Sequence, residues 1–193
     1  GSSTYDGFRF NTISTIRTVF WVVKWEDGNG AENLLGDADT TKFNFTRGWQ
    51  GRIWSKLDNP YDASPYVYNG TTKLMGVVTN GLDTKLTSNV FQVVSVVTLA
   101  AVQASQISEP CTYWGSWQGD IAEIIIYTNA LTSTEEEQVG RYLADKYALA
   151  TAYPVPPTST NSPADVQMFE ARRGALYGQV QLSWSNGPIT VLA

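Results

Sequence analysis

Residues 17–25 read RTVFWVVKW. Val19, Trp21, Val23 and Trp25 fall on one side of an extended chain, and Thr18, Phe20, Val22 and Lys24 on the other. Both sides are largely apolar and rich in β-branched and aromatic residues. The stretch therefore predicts a strand covered on two faces, in the middle of a sheet. Working outward, Glu26-Asp27-Gly28-Asn29-Gly30 marks a turn. Further short strands are expected at 34–36, 42–46, 51–54, 66–68 and 73–79, separated by Gly, Asn, Asp and Pro clusters. Longer ones are expected at 91–101 and at 120–128, DIAEIIIYT. Many strands with regular turn signals predict an all-β, antiparallel sandwich or barrel.

One helix interrupts this pattern. Thr132 to Glu135 and Ser133 to Glu136 both fit a capping box, and Glu135, Glu136 and Glu137 load the first turn with the charge a helix N-terminus favours. Val139, Tyr142, Leu143 and Tyr147 recur at helical spacing, which predicts an apolar stripe capping one open end of the sheet layers. Glu137 and Arg141 are spaced to pair on the solvent side. The composition changes after Leu149. Residues 150–164, ATAYPVPPTSTNSPA, read as a Pro-rich, semi-extended linker. Residues 165–193 read as a β tail ending in a hairpin, QVQLSW and ITVLA around Ser185-Asn186-Gly187-Pro188. Such a tail is too small to fold alone, so it is expected to dock as a strand or to begin a further domain. The expected organisation is a sandwich over 1–149, a linker over 150–164 and the tail.

Composition removes much chemistry. The chain has 193 residues, no His and one cysteine, Cys111. Ser-His-Asp and Cys-His catalysis and His- or Cys-cluster metal sites are excluded. Cys111 reads as a lone thiol. Only 16% of residues are charged, and the formal net charge is −5. A basic patch to neutralise phosphates is missing, so nucleic acid is not an expected partner. The longest apolar-rich stretch, 90–102, is broken by Gln92, Ser95 and Thr98, so no membrane insertion is expected. The chain opens on Gly1-Ser2-Ser3 without Met and without a signal peptide, and reads as a mature product or a fragment.

Residues 117–127, WQGDIAEIIIY, followed by 131–139, LTSTEEEQV, and 142–147, YLADKY, resemble the C-terminal signature of laminin G-like domains of the concanavalin A-like lectin/glucanase superfamily. Residues 17–24, 34–37 (LLGD), the Asn69-Gly70 turn and 91–98 (FQVVSVVT) are similar to earlier strands of that family, in the same order. The resemblance spans about residues 4–149 and implies a concanavalin A-like jelly roll with one short capping α-helix, plus the C-terminal β tail. It does not decide function, because the fold hosts lectins, glycosidases and adhesion modules alike.

Three functional classes follow. A retaining glycosidase needs two carboxyl groups about 5–5.5 Å apart. The nearest candidates, Asp120 and Glu123, are three residues apart and so are expected on opposite faces of a strand. Catalysis is therefore not expected, and Glu123 reads as structural. A binding module is suggested by Trp49, Trp54, Tyr61, Tyr66 and Tyr68, which cluster with Arg47, Arg52, Asp58, Asn59 and Asp62 in a loop-rich region. Aromatic rings with flanking amides and carboxylates suit a glycan, and Trp49, Trp54, Tyr61, Tyr66, Asp58 and Asn59 are the candidate ligand contacts. Trp114 and Trp117 read as packing residues. The resemblance also implies a calcium site, with Asp37 and Asp39 as candidate ligands and Asp27, Asn29 and Glu32 as a second acidic loop. A structural subunit is the third class, self-assembling through residues 165–193. Two glycosylation sequons occur, at Asn44 and Asn69. The expected protein is a non-catalytic extracellular or cell-surface recognition module, with a glycan or matrix polymer as partner. A subunit of a surface assembly or filament is the alternative.

Overall fold

The computed structural model describes residues 8–26, 32–37, 45–56, 62–108 and 115–155. The chain divides into two units, Gly1–Pro156 and Pro157–Ala193, and the described residues all lie in the first. The tail at 165–193, and the linker beyond residue 155, fall outside them. The first unit is mostly antiparallel β-sheet with two short helices.

Its strands are β1 (Phe8–Trp25), β2 (Glu32–Gly36), β3 (Phe45–Arg47), β4 (Thr71–Leu74), β5 (Val77–Thr79), β6 (Phe91–Ile107), β7 (Gly115–Ser116) and β8 (Gly119–Tyr127). The helices are α1 (Pro65–Tyr68) and α2 (Ser133–Lys146). The sheet order is β3-β2-β6-β1-β8; β4 adds to β6, β5 adds to β4, and the two-residue β7 runs parallel to β2. β1 is central, as its two apolar sides require.

β1 and β6 are long enough to serve two arms of the sheet. Residues 18–24 of β1 pair with 91–97 of β6, and residues 8–16 pair with 102–107 across repeated register shifts. Bulges of this kind bend a strand and increase its twist. The bend is stitched by side chains: the Arg17 guanidinium donates to the Thr98 carbonyl at 3.1 Å, and the Thr98 hydroxyl donates to the Arg17 and Ala100 carbonyls at 3.2 and 2.7 Å. Beyond the bend β2 takes over from β4 as the neighbour of β6. The bend closes the sheet over itself. Three strand spacings separate β1 from β3 in the order, roughly 14 Å in a flat sheet. Yet the rings of Trp21 on β1 and Phe45 on β3 are 5.4 Å apart, and Trp54 sits 5.8 Å from Trp21. The core enclosed there contains Val19, Trp21, Val23, Leu34, Leu35, Phe45, Val94 and Ala104. On the other face of β1, Phe20 and Val22 pack with Val93, Leu143, Ala144 and Tyr153 beneath α2.

Several local expectations are corrected. Residues 51–54 are not a strand; a 3-10 turn, Trp49–Gly51, precedes a single bridge from Arg52 to Lys85. Gly51 has φ 83°, and a Cβ there would lie 2.6 Å from the Trp25 ring, so the turn depends on that glycine. Residues 66–68 are helical because Ser64 caps the Tyr66 amide and Pro65 occupies the first turn. Residues 73–79 are a hairpin rather than one strand, turning at Met75 and Gly76, which both have positive φ. The capping box at Thr132 and Glu135 forms. The stripe differs, because the inner row of α2 is Glu136, Gly140, Leu143 and Ala144, while Tyr142 is 53% exposed. Arg141 pairs with Asp145 at 2.8 Å, not with Glu137, which lies 3.7 Å from Lys73. Finally, the stretch expected to start the linker is packed. The Ala152 amide and the Thr151 hydroxyl both donate to the Met75 carbonyl, and Tyr153 is buried.

Candidate recognition site

The aromatic residues of the 45–68 region separate into two groups. Trp54 is a core residue, 1% exposed, whose indole N–H donates to the Thr72 hydroxyl at 2.7 Å. Gly81 lies so close to this indole that a Cβ would collide with it. Tyr68 is half-buried, with the Lys56 ammonium 5.4 Å from its ring. Trp49 and Tyr66, by contrast, are 43% and 49% exposed. Tyr61, Asp58 and Asn59 lie outside the described residues.

Trp49 stands on the 3-10 turn with Gln50 and Arg52, both exposed. Backbone bonds fix this turn: Gly48 N–H to the Arg52 carbonyl at 3.0 Å, and Leu86 N–H to the Gly51 carbonyl at 2.8 Å. Gly51 presses on Trp25, whose ring also faces the Arg47 guanidinium at 4.8 Å. An indole, an amide and a guanidinium therefore share one rigid turn. Tyr66 is presented by a second turn, α1. A bonded neck ties the two turns together in the chain: Ala63 N–H donates to the Ser55 carbonyl at 3.1 Å, and the Ser55 hydroxyl donates to Asp62 at 3.2 Å. Gln50 was missed in the sequence, although Gly48-Trp49-Gln50-Gly51 carries the turn signal that could have found it.

The polar residues expected beside the rings are partly spent inside. Arg47 is fully buried and forms a forked pair with Glu32, at 2.7 and 3.2 Å. Glu32 also accepts the Gln118 amide at 3.1 Å. Burial pushes the Glu32 carboxyl up, and the Arg47 hydrogen bonds and charge oppose that shift. Glu32 is thus a β2 core residue and not a loop ligand. Asp37 is 5% exposed; its carboxylate accepts from the Ser105 hydroxyl at 3.0 Å and from the Gln103 amide. The Asp37 oxygens thus serve two side chains of the sheet. Asp39, Asp27 and Asn29 lie outside the described residues, among which no cluster of three or more candidate ligands forms. Of the sequons, Asn69 is exposed at the end of α1, and Asn44 lies outside.

Asp120 and Glu123 also differ from expectation. Glu123 faces Val22 and Ile121 faces Val23, so Ala122 is an extra, bulged residue. The bulge returns both carboxylates to one face of β8, opposite Lys24 and Val22. Each is held by a lysine: Asp120 by Lys24 at 2.5 Å and Glu123 by Lys146 at 2.9 Å. Their expected segregation to opposite faces is overturned. Trp117 is buried, as a packing residue would be, and Trp114 and Cys111 lie outside the described residues.

A second buried polar network was not foreseen. Lys73 on β4 pairs with Glu136 on α2 at 2.8 Å, both nearly inaccessible. Glu136 accepts the Ser95 hydroxyl at 2.7 Å, and Ser95 lies 3.3 Å from the Tyr153 hydroxyl. Burial pushes the Tyr153 phenol up to about 12. The signal was a glutamate one helical turn before Gly140, on the side of α2 that the apolar residues bury.

Comparison of the chain with protein-family models, with curated proteins and with solved structures finds no match.

Proposed function

We propose that the chain is a non-catalytic, extracellular recognition module on a concanavalin A-like sandwich, and that it binds glycans through exposed aromatic side chains. The observation that carries the reading is the Trp49 turn. Trp49, Gln50 and Arg52 are exposed on one turn whose backbone is set by Gly51 against Trp25, which puts an indole, an amide and a guanidinium on the same short surface segment. Rigid aromatic platforms with a few fixed polar groups are what small polar ligands require. Tyr66 supplies a second ring, and the lysine-paired state of Asp120 and Glu123 favours binding over hydrolysis. The test is titration of the full chain with an oligosaccharide panel, followed by tryptophan fluorescence. Trp49→Ala should weaken any binding by about tenfold or more, equivalent to about 1.4 kcal/mol, with Tyr66→Ala smaller in effect. Quenching that is unchanged in Trp49→Ala, or no quenching with any member of the panel, overturns the reading.

A further inference from the structure

The described sheet ends on β8, yet β8 does not have the sequence of an edge. Natural edge strands carry charge, proline or a bulge to prevent pairing with another chain. β8 has these only in its first half, where Asp120 and Glu123 hold their lysines and the bulged Ala122 gives its carbonyl to the Tyr147 hydroxyl at 3.2 Å. From Ile124 onward, Ile-Ile-Ile-Tyr-Thr carries no such device. Among the described residues β8 pairs with β1 alone. Ile124 and Ile126 pack on one core and Ile125 and Tyr127 on the other, but all four keep partial exposure, whereas their β1 partners Trp21, Val19 and Phe20 have none. The composition is that of a strand paired on both edges, and among the described residues one edge has no partner.

We propose that residues 123–127 pair antiparallel with the same residues of a second copy, about a two-fold axis at Ile125, so that one sheet runs through both protomers. The charge pattern is compatible with a second copy of the same strand and selects the direction. The acidic residues of β8 lie at its N-terminal end, so parallel pairing in register would set Glu123 against Glu123, which is unfavourable for directly opposed like charges. Antiparallel pairing about Ile125 sets Glu123 opposite Tyr127, Ile124 opposite Ile126 and Ile125 opposite itself, with no like charges facing. The neutral half is therefore self-complementary, and the Ala122 bulge limits its length. A two-fold contact of this kind closes on itself, which makes a dimer rather than a fibre. The inference uses a different edge of the molecule from the Trp49 turn and does not depend on the glycan reading.

Sedimentation equilibrium of the full chain should show a reversible dimer, and Ile125→Lys should shift it to monomer. Because Ile125 also packs under α2, a second measurement keeps the test independent of that variant's folding. In the background Cys111→Ser, Ile125→Cys should oxidise to a disulfide-linked dimer, while Val78→Cys, on the exposed β5, should stay at the background level. Amide exchange of residues 123–127 should also slow by about tenfold as concentration rises through the dimerisation range. A chain that stays monomeric, a dimer that Ile125→Lys leaves intact, or a dimer without the Ile125→Cys cross-link overturns the proposal.

Discussion

Glu32 and Arg47 show how this chain uses its few charges. Both are fully buried, and each satisfies the other through two hydrogen bonds, with Gly48 and Gln118 taking remaining valences. Removing one partner of such a pair leaves an uncompensated charge in the core, at a cost of about 3–5 kcal/mol. Arg47→Met should therefore lower stability by that amount in urea unfolding, and Glu32→Gln in the same chain should recover much of the loss. Tyr153 supplies a pH-dependent counterpart. Its phenol titrates near 10 when exposed and at about 12 in the fold, because burial disfavours the anion. The unfolded chain thus loses this proton first as pH rises. The contribution is present in full below pH 10 and is lost toward pH 12, up to about 2–3 kcal/mol for a two-unit shift. Tyr153→Phe should flatten the alkaline part of the stability curve over that window; an unchanged slope would show that Tyr153 does not govern it.

In α2, local rules and tertiary contacts pull on the same residues. The capping box closes as the sequence requires, and the Thr132 hydroxyl accepts the Glu135 amide at 3.3 Å. Thr132→Ala should cost about 1 kcal/mol in thermal or urea unfolding, the usual value of an N-cap. Gly140 behaves oppositely to its propensity. In an exposed helix Gly→Ala stabilises by about 1 kcal/mol, but here a Cβ would come 2.2 Å from the Tyr153 ring. Gly140→Ala should be destabilising, and a rise in melting temperature would disprove the close approach. The absence of a side chain at Gly140 is what admits Tyr153, and Tyr153 in turn fixes the 150–155 segment against Met75 and Gly76. A Pro-rich sequence read by itself gave no reason to expect that anchor.

Across the molecule, stability rests on the closure of the sheet over Trp21, Phe45 and Trp54. Trp54→Ala removes the ring that joins the 45–56 segment to β1 and the indole bond to Thr72, and should cost about 3–5 kcal/mol, as large aromatic truncations in cores do. The same closure predicts where exchange is slowest. Residues 19–23 of β1, bonded on both sides and covered on both faces, should retain their amide protons longest, with the short, exposed β5 exchanging early. If β5 outlasts β1 in native-state hydrogen exchange, the central placement of β1 is wrong.

The strands β1, β6 and β8 and the cap of α2 were legible because their signals are local: period-two apolar runs and a Thr-to-Glu box operate within a few residues. The apolar alternation of these strands and the helix cap were therefore determined by the sequence itself, along with the exclusion of His chemistry. What the sequence left open depended on residues far apart in the chain. Trp49 and Trp54 occupy one loop region and look alike, and only the sheet's closure buries one and presents the other. Asp120 and Glu123 change faces through a single bulge at Ala122, set by pairing to β1. Residues 51–54 and 66–68 have strand-like composition, yet Gly51 against Trp25 and Pro65 behind a Ser64 cap turn the chain instead. Glu32 reads as a calcium ligand until Arg47 is brought to it across β2 and β3. Periodicity reports which side of an element is apolar; which apolar side meets which, and what then stays in solvent, is set by long-range pairing that no local window contains.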